Sequence, residues 1–257
     1  MKNLFDISGR VAIVTGGSKG IGLQMALDLA EAGAEVVIAS RHLNEAQATV
    51  DRVKEKGRRG LAIQADISLV PECAMLIRKT VETFGKVDIL VNNAGMNQRG
   101  PLIEVVENQY DKIMATDLKG LFFCSQFAVK EMMKQKWGRI VNITSAAAVI
   151  GVPILGIYCA AKAGAAQLTK VCALEWAQFG VTVNAIGPYY VQTDINKDFL
   201  AVKANYDRIV SKVAIKRLGE PGDLTGTLLL LVSDAGAYIT GQSLYVEGGA
   251  MAGWPAP

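Results

Sequence analysis

The sequence predicts an α/β protein built on a doubly wound parallel sheet of about seven strands with helices on both faces, and three observations predict it. Short β-branched or apolar runs alternate with longer segments of helical periodicity along all 257 residues. The first of these runs leads directly into a glycine cluster and then a helix-like stretch. The residues with chemistry to offer fall just after predicted strands, the edge at which ligands gather in sheets of this kind.

The elements follow in order. Residues 10–15 (RVAIVT) form a β-branched run, and 20–32 an apolar-periodic helix beyond the glycines. Strand 35–40 (EVVIAS) precedes helix 43–57, and strand 60–65 (GLAIQA) precedes helix 69–84. Strand 87–92 (VDILVN) is followed by helices 104–117 and 119–136, and strand 138–145 (GRIVNITS) by helix 156–179. Strand 181–187 (VTVNAIG), helix 221–233 and strand 242–247 (QSLYVE) complete the series. No repeat, low-complexity tract or linker rich in Pro, Ser or charge interrupts it, so residues 1–257 read as one domain.

Composition narrows the function. The formal net charge is +3 with acids and bases interspersed, so nothing calls for nucleic acid or an anionic membrane as partner. The weakly polar stretch 146–161 is broken by Gly151, Pro153, Gly156 and Tyr158 and is too short to span a bilayer. The opening MKNLFDISGR lacks a secretory apolar core, which makes the cytoplasm the default. Cys73, Cys124, Cys159 and Cys172 show no ligand-like spacing and read as free thiols of a reducing compartment. His42 is the single histidine, so neither a Ser-His-Asp triad nor a zinc site is supported and no metal is expected. It reads as a solvated loop residue, with a contact to a bound adenine as the alternative.

The glycine cluster is the second anchor. Gly16, Ser18, Lys19, Gly20, Ile21 and Gly22 lie between strand and helix, where glycines let backbone N–H groups approach a pyrophosphate and the helix start adds positive potential. The loop lacks the Gly-Lys-Ser/Thr ending of a P-loop, which argues against an ATPase or GTPase. A Rossmann-type dinucleotide site is the reading. A carboxylate at the end of the second strand suits the 2′-hydroxyl of NAD, whereas an arginine suits a 2′-phosphate. Here that strand ends in Ser40-Arg41, with Lys19 inside the loop, which points to NADP(H). The alternative is that Lys19 and Arg41 are ordinary solvent-facing charges.

The third anchor is Ser145 together with Tyr158 and Lys162, the last two spaced four apart on one face of a helix. Such pairs also arise by chance in amphipathic helices. The magnitude suffices for chemistry: a unit charge at about 4 Å and an effective dielectric near 20 is worth about 4 kcal/mol. That compares with roughly 1.4 kcal/mol per pH unit for a phenol that ordinarily ionises near pH 10, with desolvation opposing part of it.

Taken together, TGGSKGIG at 15–22, Asp66-Ile67, NNAG at 92–95, Ser145 and YCAAK at 158–162 resemble the classical short-chain dehydrogenase/reductase family over essentially the whole length. The resemblance implies hydride exchange between a nicotinamide and a ketone or secondary alcohol. Tyr158 would pass the proton, Ser145 bind the reacting oxygen, and Lys162 act on Tyr158 and hold the nicotinamide ribose. Asp66 and Ile67 would flank the adenine, and Asn93, Ala94 and Gly95 its ribose. Pro188, Tyr189, Val191 and Thr193 would line the nicotinamide end. The family also implies a homotetramer with the last strand and the 248–257 tail in a contact. The apolar residues Leu121, Phe122, Phe123, Phe127 and Val129 suggest the same, or else a deeply buried core helix.

Two positions depart from the family pattern. Asp117 stands where an asparagine is usual, and its carboxylate would interact with the Lys162 charge and alter the pH profile. Tyr189 stands where a glycine is usual, so either no positive φ is needed there or the local geometry differs. Its ring would narrow the substrate pocket, or simply pack.

Residues 193–218 read as a substrate lid carrying Asn196, Lys197, Lys203, Asn205, Arg208 and Lys212. With Asn97, Gln98 and Arg99 they would give a polar, basic rim suited to a hydroxylated, anionic small molecule, unless these charges are merely solvated. Arg99, Ser145, Tyr158 and Tyr190 are the candidate substrate contacts. Within the family, the LFDISGRVAIVTGG opening, the ASR at 39–41 and the NQR at 97–99 resemble gluconate 5-dehydrogenases and related sugar or polyol dehydrogenases. A 3-oxoacyl carrier-protein reductase has nearly the same motifs, and a non-catalytic cofactor-sensing protein is a third possibility.

Overall fold

A strand covered on both faces needs apolar residues at successive positions rather than alternate ones. The runs at 11–15, 36–40 and 89–92 meet that need, every residue being buried. In the computed structural model, which describes residues 3–193 and 196–253, these runs are the centre of a parallel sheet. Its strands are β1 (Val11–Thr15), β2 (Glu35–Ser40), β3 (Gly60–Gln64), β4 (Ile89–Asn92), β5 (Gly138–Ile143), β6 (Val181–Pro188) and β7 (Ser243–Val246). Their order is β3-β2-β1-β4-β5-β6-β7, so the chain reverses direction across the sheet between β1 and β4. That switch opens a crevice beyond the carboxyl ends of the two strands.

The helices are α1 (Gly20–Glu31), α2 (Leu43–Glu55), α3 (Val70–Phe84), α4 (Glu107–Met114), α5 (Leu121–Gln135), α6 (Gly156–Trp176), α7 (Lys197–Ala201), α8 (Lys203–Val210) and α9 (Thr225–Val232). Alternate strand residues feed opposite faces, as the two-residue period requires. Ala12, Val14, Val36, Ile38 and Val91 pack with α1, α2 and α9. Val11, Ile13, Val37, Leu90 and Ile140 pack with α3, α5 and α6. The expected fold class is the one observed.

Two sequence expectations need correction. The helices read at 104–117 and 119–136 are one run from 107 to 135, joined by a π-helical turn at Ala115–Gly120, with a separate 3₁₀ turn at Leu102–Glu104. No breaker residue separates α4 from α5; the extra residue in the wide turn is accommodated in place. The helix read at 221–233 is α-helical only from Thr225, its Pro221–Leu224 start being 3₁₀. Of the α5 residues that suggested a partner subunit or else a buried core helix, Leu121 and Val129 are buried in the chain's own core, whereas Phe123 and Phe127 pack only partly buried against the cluster of Leu76 and Met132 and Phe122 is half-buried outside it. Of the lid expected at 193–218, residues 194 and 195 lie outside the described residues, as do 254–257 of the tail expected in a subunit contact; Lys197–Ala201 and Lys203–Val210 form α7 and α8.

Strand register levels the sheet's carboxyl edge. Thr15 pairs with Ala39 and with Asn92, and Asn92 with Asn142, so the loops after four strands leave from one row. Beneath that row runs a buried polar ladder. Asn92 Nδ2 donates to Ser125 Oγ at 2.8 Å and to Asn142 Oδ1 at 2.9 Å, and Asn142 Nδ2 donates to Thr169 Oγ1 at 2.9 Å. Replacing Asn142 by the similarly sized leucine strips partners from two buried groups, and the Asn142→Leu variant is expected to lose about 1–3 kcal/mol in urea unfolding.

Candidate active site

The loop after β1 is shaped by what a side chain cannot do there. A Cβ on Gly22 would lie 2.3 Å from both the Gly16 carbonyl oxygen and Asn93 Nδ2, so only glycine lets the first turn of α1 close onto the loop. Asn93 fastens that loop, Nδ2 donating to the carbonyls of Thr15 and Gly16 at 3.0 Å each. Thr15 Oγ1 in turn accepts the N–H groups of Asn93 at 3.0 Å and Ala94 at 3.1 Å. α1 has no side-chain cap, so its first-turn N–H groups are left for a ligand.

A cleft of about 1000 Å³ opens over this edge, and every residue expected to act on the reaction or hold the cofactor lines it; of the polar rim expected for the substrate, Asn97, Arg99 and Asn196 line it, whereas Gln98, Lys197, Lys203, Asn205, Arg208 and Lys212 do not. At the adenosine end, Ser18 Oγ and Ser40 Oγ are 3.2 Å apart and Arg41 is exposed. Lys19 is not a free cation there: its Nζ pairs with Glu45 Oε1 at 2.7 Å. Asp66 Oδ1 accepts the Ser68 N–H at 3.0 Å, which shapes the turn leading into Leu69. His42, exposed, also borders the cleft.

At the opposite end, Lys162 is almost completely buried, 4 % exposed. Its Nζ lies 2.9 Å from Asp117 Oδ1, donates to the Ile143 carbonyl at 3.0 Å and sits 5.6 Å from the centre of the Tyr158 ring. The π-helical turn carries Asp117 into this position, and its Oδ2 accepts the Met96 N–H at 2.9 Å. Gly95 allows the approach, since a Cβ there would stand 2.8 Å from Asp117 Oδ1. Burial pulls the Lys162 ammonium down, but the charge of Asp117, assisted by Tyr158 and the hydrogen bond to Asp117, outweighs it and holds the group above the usual lysine value. Ser145 follows β5, its Oγ accepting the Ala147 N–H at 3.1 Å, which leaves its hydroxyl proton free to donate.

Tyr189 adopts no positive φ, which answers the question its replacement of a glycine raised. Its ring packs edge-to-face on Tyr190 with centroids 5.1 Å apart, and Tyr190 stacks on Phe199 of α7 at 6.4 Å. The Arg99 guanidinium lies 4.0 Å from the Phe199 ring centre, so it closes the same aromatic row. Sequence reasoning missed Thr15, Glu45, the Met96 N–H and the Ile143 carbonyl. The two backbone groups leave no side-chain signature, and Glu45 reads as an ordinary charge in the first turn of α2.

Removing the carboxylate at 117 strands a buried ammonium. The Asp117→Ala variant is expected to lose about 3–5 kcal/mol of stability in denaturant unfolding. Because the pair raises the folded value of Lys162, its stabilisation is fully present below the ordinary lysine value of 10.5 and disappears as pH rises through the raised value. The gap between wild type and Asp117→Ala should therefore hold through neutral pH and narrow above pH 10.5.

Comparison with known proteins agrees with this architecture. The family model described as enoyl-(acyl carrier protein) reductase matches residues 16–251. A 3-oxoacyl-(acyl-carrier-protein) reductase of Staphylococcus epidermidis is 39 % identical over 240 residues, 93 % of this chain and 97 % of that one. A 2-dehydro-3-deoxy-D-gluconate 5-dehydrogenase of Dickeya dadantii is 38 % identical over 251 residues, 97 % and 98 % of the two chains. The crystal structure of a gluconate 5-dehydrogenase from Burkholderia cenocepacia, in complex with NADP and tartrate, superposes with a TM-score of 0.95 at 31 % identity, covering 98 % of this chain and 99 % of that one. With its seven-stranded parallel sheet, its glycine loop and its Tyr-Lys helix, this chain belongs to the short-chain dehydrogenase/reductase family of oxidoreductases.

Proposed function

We propose that this chain interconverts a secondary alcohol and a ketone with NADP(H), acting on a small hydroxylated anion of the sugar-acid kind. One observation carries the reading: Tyr158 stands one helical turn from a buried, charged Lys162, in the same cleft as a glycine loop and an uncapped helix start. The dinucleotide fits these residues. Gly22 lets the first turn of α1 close onto the loop, whose uncapped N–H groups suit a pyrophosphate, and Arg41 beside Ser40 suits a 2′-phosphate.

Bound NADPH supplies the hydride. Tyr158 gives its proton to the ketone oxygen, while Ser145, whose own oxygen is already engaged by Ala147, donates a hydrogen bond to the same atom. Lys162 stabilises the phenolate left behind. Paired with Asp117 and donating one hydrogen bond to the Ile143 carbonyl, the ammonium keeps donor capacity for the nicotinamide ribose. Oxidation of an alcohol is the same path reversed. Arg99, its face covered by Phe199, keeps its N–H edges for a substrate carboxylate. Asp117 acts through Lys162 as a positioning residue.

The sugar-acid reading draws support from the names of the Dickeya and Burkholderia relatives. Reduction of a 3-oxoacyl thioester is the second reading, favoured by the staphylococcal relative. Gluconate with NADP against acetoacetyl thioester with NADPH separates them, and activity confined to the thioester would sink the sugar-acid assignment. A single cytoplasmic domain assembled as a homotetramer completes the proposal, consistent with the exposed Leu174 and Val171 of α6. Mass measurement in solution tests the assembly.

Tyr158→Phe is expected to reduce turnover at least a thousandfold while NADPH still quenches or enhances fluorescence on binding with near-wild-type affinity; retained turnover would refute the proton role. Arg41→Asp should weaken NADPH binding by a factor of about ten or more and leave NADH binding less affected, as read by the same titration.

A further inference from the structure

The adenosine corner of the cleft holds a charge that the usual cofactor argument leaves out. Lys19 Nζ is 2.7 Å from Glu45 Oε1, and Glu45 Oε2 accepts from Ser18 Oγ at 3.5 Å. Ser18 in turn contacts Ser40 at 3.2 Å. The hydrogen bond from Lys19 is the main reason that the Glu45 carboxyl is held below its usual value, so the group is ionised at neutral pH. Lys19, Arg41 and Glu45 border the same cleft. The Arg41 guanidinium makes no ion pair among the described residues, its backbone carbonyl alone accepting from Gln64. Two cations favour a 2′-phosphate at this corner, and one carboxylate opposes it.

We propose that Glu45 is a specificity-determining residue for the cofactor: by neutralising Lys19 it leaves Arg41 to carry the 2′-phosphate interaction, so the site accepts NAD(H) alongside NADP(H). The inference rests on the dinucleotide reading above. A 2′-phosphate reaching Lys19 must displace Glu45 or lie beside it, and like charges at that range repel. A dinucleotide with a plain 2′-hydroxyl carries no charge there and meets no such opposition. Lys19 is 58 % exposed at its side chain, so the pair is partly screened and the expected effect is moderate.

The test is fluorescence titration of NADPH and NADH into wild type, Glu45→Gln and Glu45→Asp, at low and high salt. Glu45→Gln should tighten NADPH about five- to tenfold and change NADH less than about twofold, with the gain shrinking in high salt. Glu45→Asp, which keeps the charge, should stay near wild type. Adding Lys19→Gln to Glu45→Gln should remove most of the gain. Unchanged or weaker NADPH binding in Glu45→Gln, parallel changes for both cofactors, or a gain that survives loss of Lys19 would each overturn the proposal. Wild-type protein that binds neither nucleotide would instead bring down the dinucleotide reading, and this inference with it.

Discussion

The Lys162 ammonium is the point at which the reactive end of the cleft is tied together. It is reached from α6, faces the carboxylate of the π-helical turn and takes the carbonyl at the end of β5, while the loop after β4 closes the set by donating its Met96 N–H to the same carboxylate. A charge this deeply buried is tolerated only when it is paired and hydrogen-bonded. Each of these elements is therefore held to the others by the need to keep that one ion satisfied. The phenol of Tyr158 inherits its position from the same helix, so the geometry of the group proposed to pass the proton follows from the packing of its neighbour.

That arrangement needs backbone to be unusually close. Gly95 passes near enough to Asp117 and Lys162 that a methyl group would part them, and Gly22 brings α1 against its own loop. At both ends of the cleft the fold gives up side-chain volume to bring backbone and charge together. Strand register makes this possible by levelling Thr15, Asn92 and Asn142, so that loops from neighbouring strands start from a common height.

Much of this was legible in the sequence, and the exceptions have physical reasons. Consecutive apolar runs marked the strands because a strand buried on both faces has no polar side to show. The meeting of Ser145, Tyr158 and Lys162 in one cleft was readable because short motifs fix those groups after a strand and along one helix face. The π-helical turn was not readable, since the weak helix formers Thr116, Asp117 and Gly120 mark no particular helix type and the wider turn goes with the packing of Asp117 onto Lys162 and Met96. The apolar residues of α5 could not be sorted from sequence because one facing the chain's own core and one facing a partner look alike until the helix is docked. Glu45 escaped because its partner lies 26 residues earlier, a separation that no local pattern records.

The two ends of the cleft use ion pairs in opposite ways. The Lys162–Asp117 pair is sealed from solvent, with side-chain exposures of 5 % and 0 %, and breaking it would leave an uncompensated charge in a medium that cannot solvate it. The Lys19–Glu45 pair is open, at 58 % and 27 %, and water can readily replace either partner. A ligand cannot afford to rearrange the first but can readily rearrange the second. Rigidity is thus placed at the sealed end of the cleft, where the proposed proton transfer needs atoms at fixed distances, and adaptability at the open end, where on the same proposal a nucleotide has only to be held. On that reading the reacting geometry is set by the fold, and the choice of nucleotide by a few solvent-facing charges.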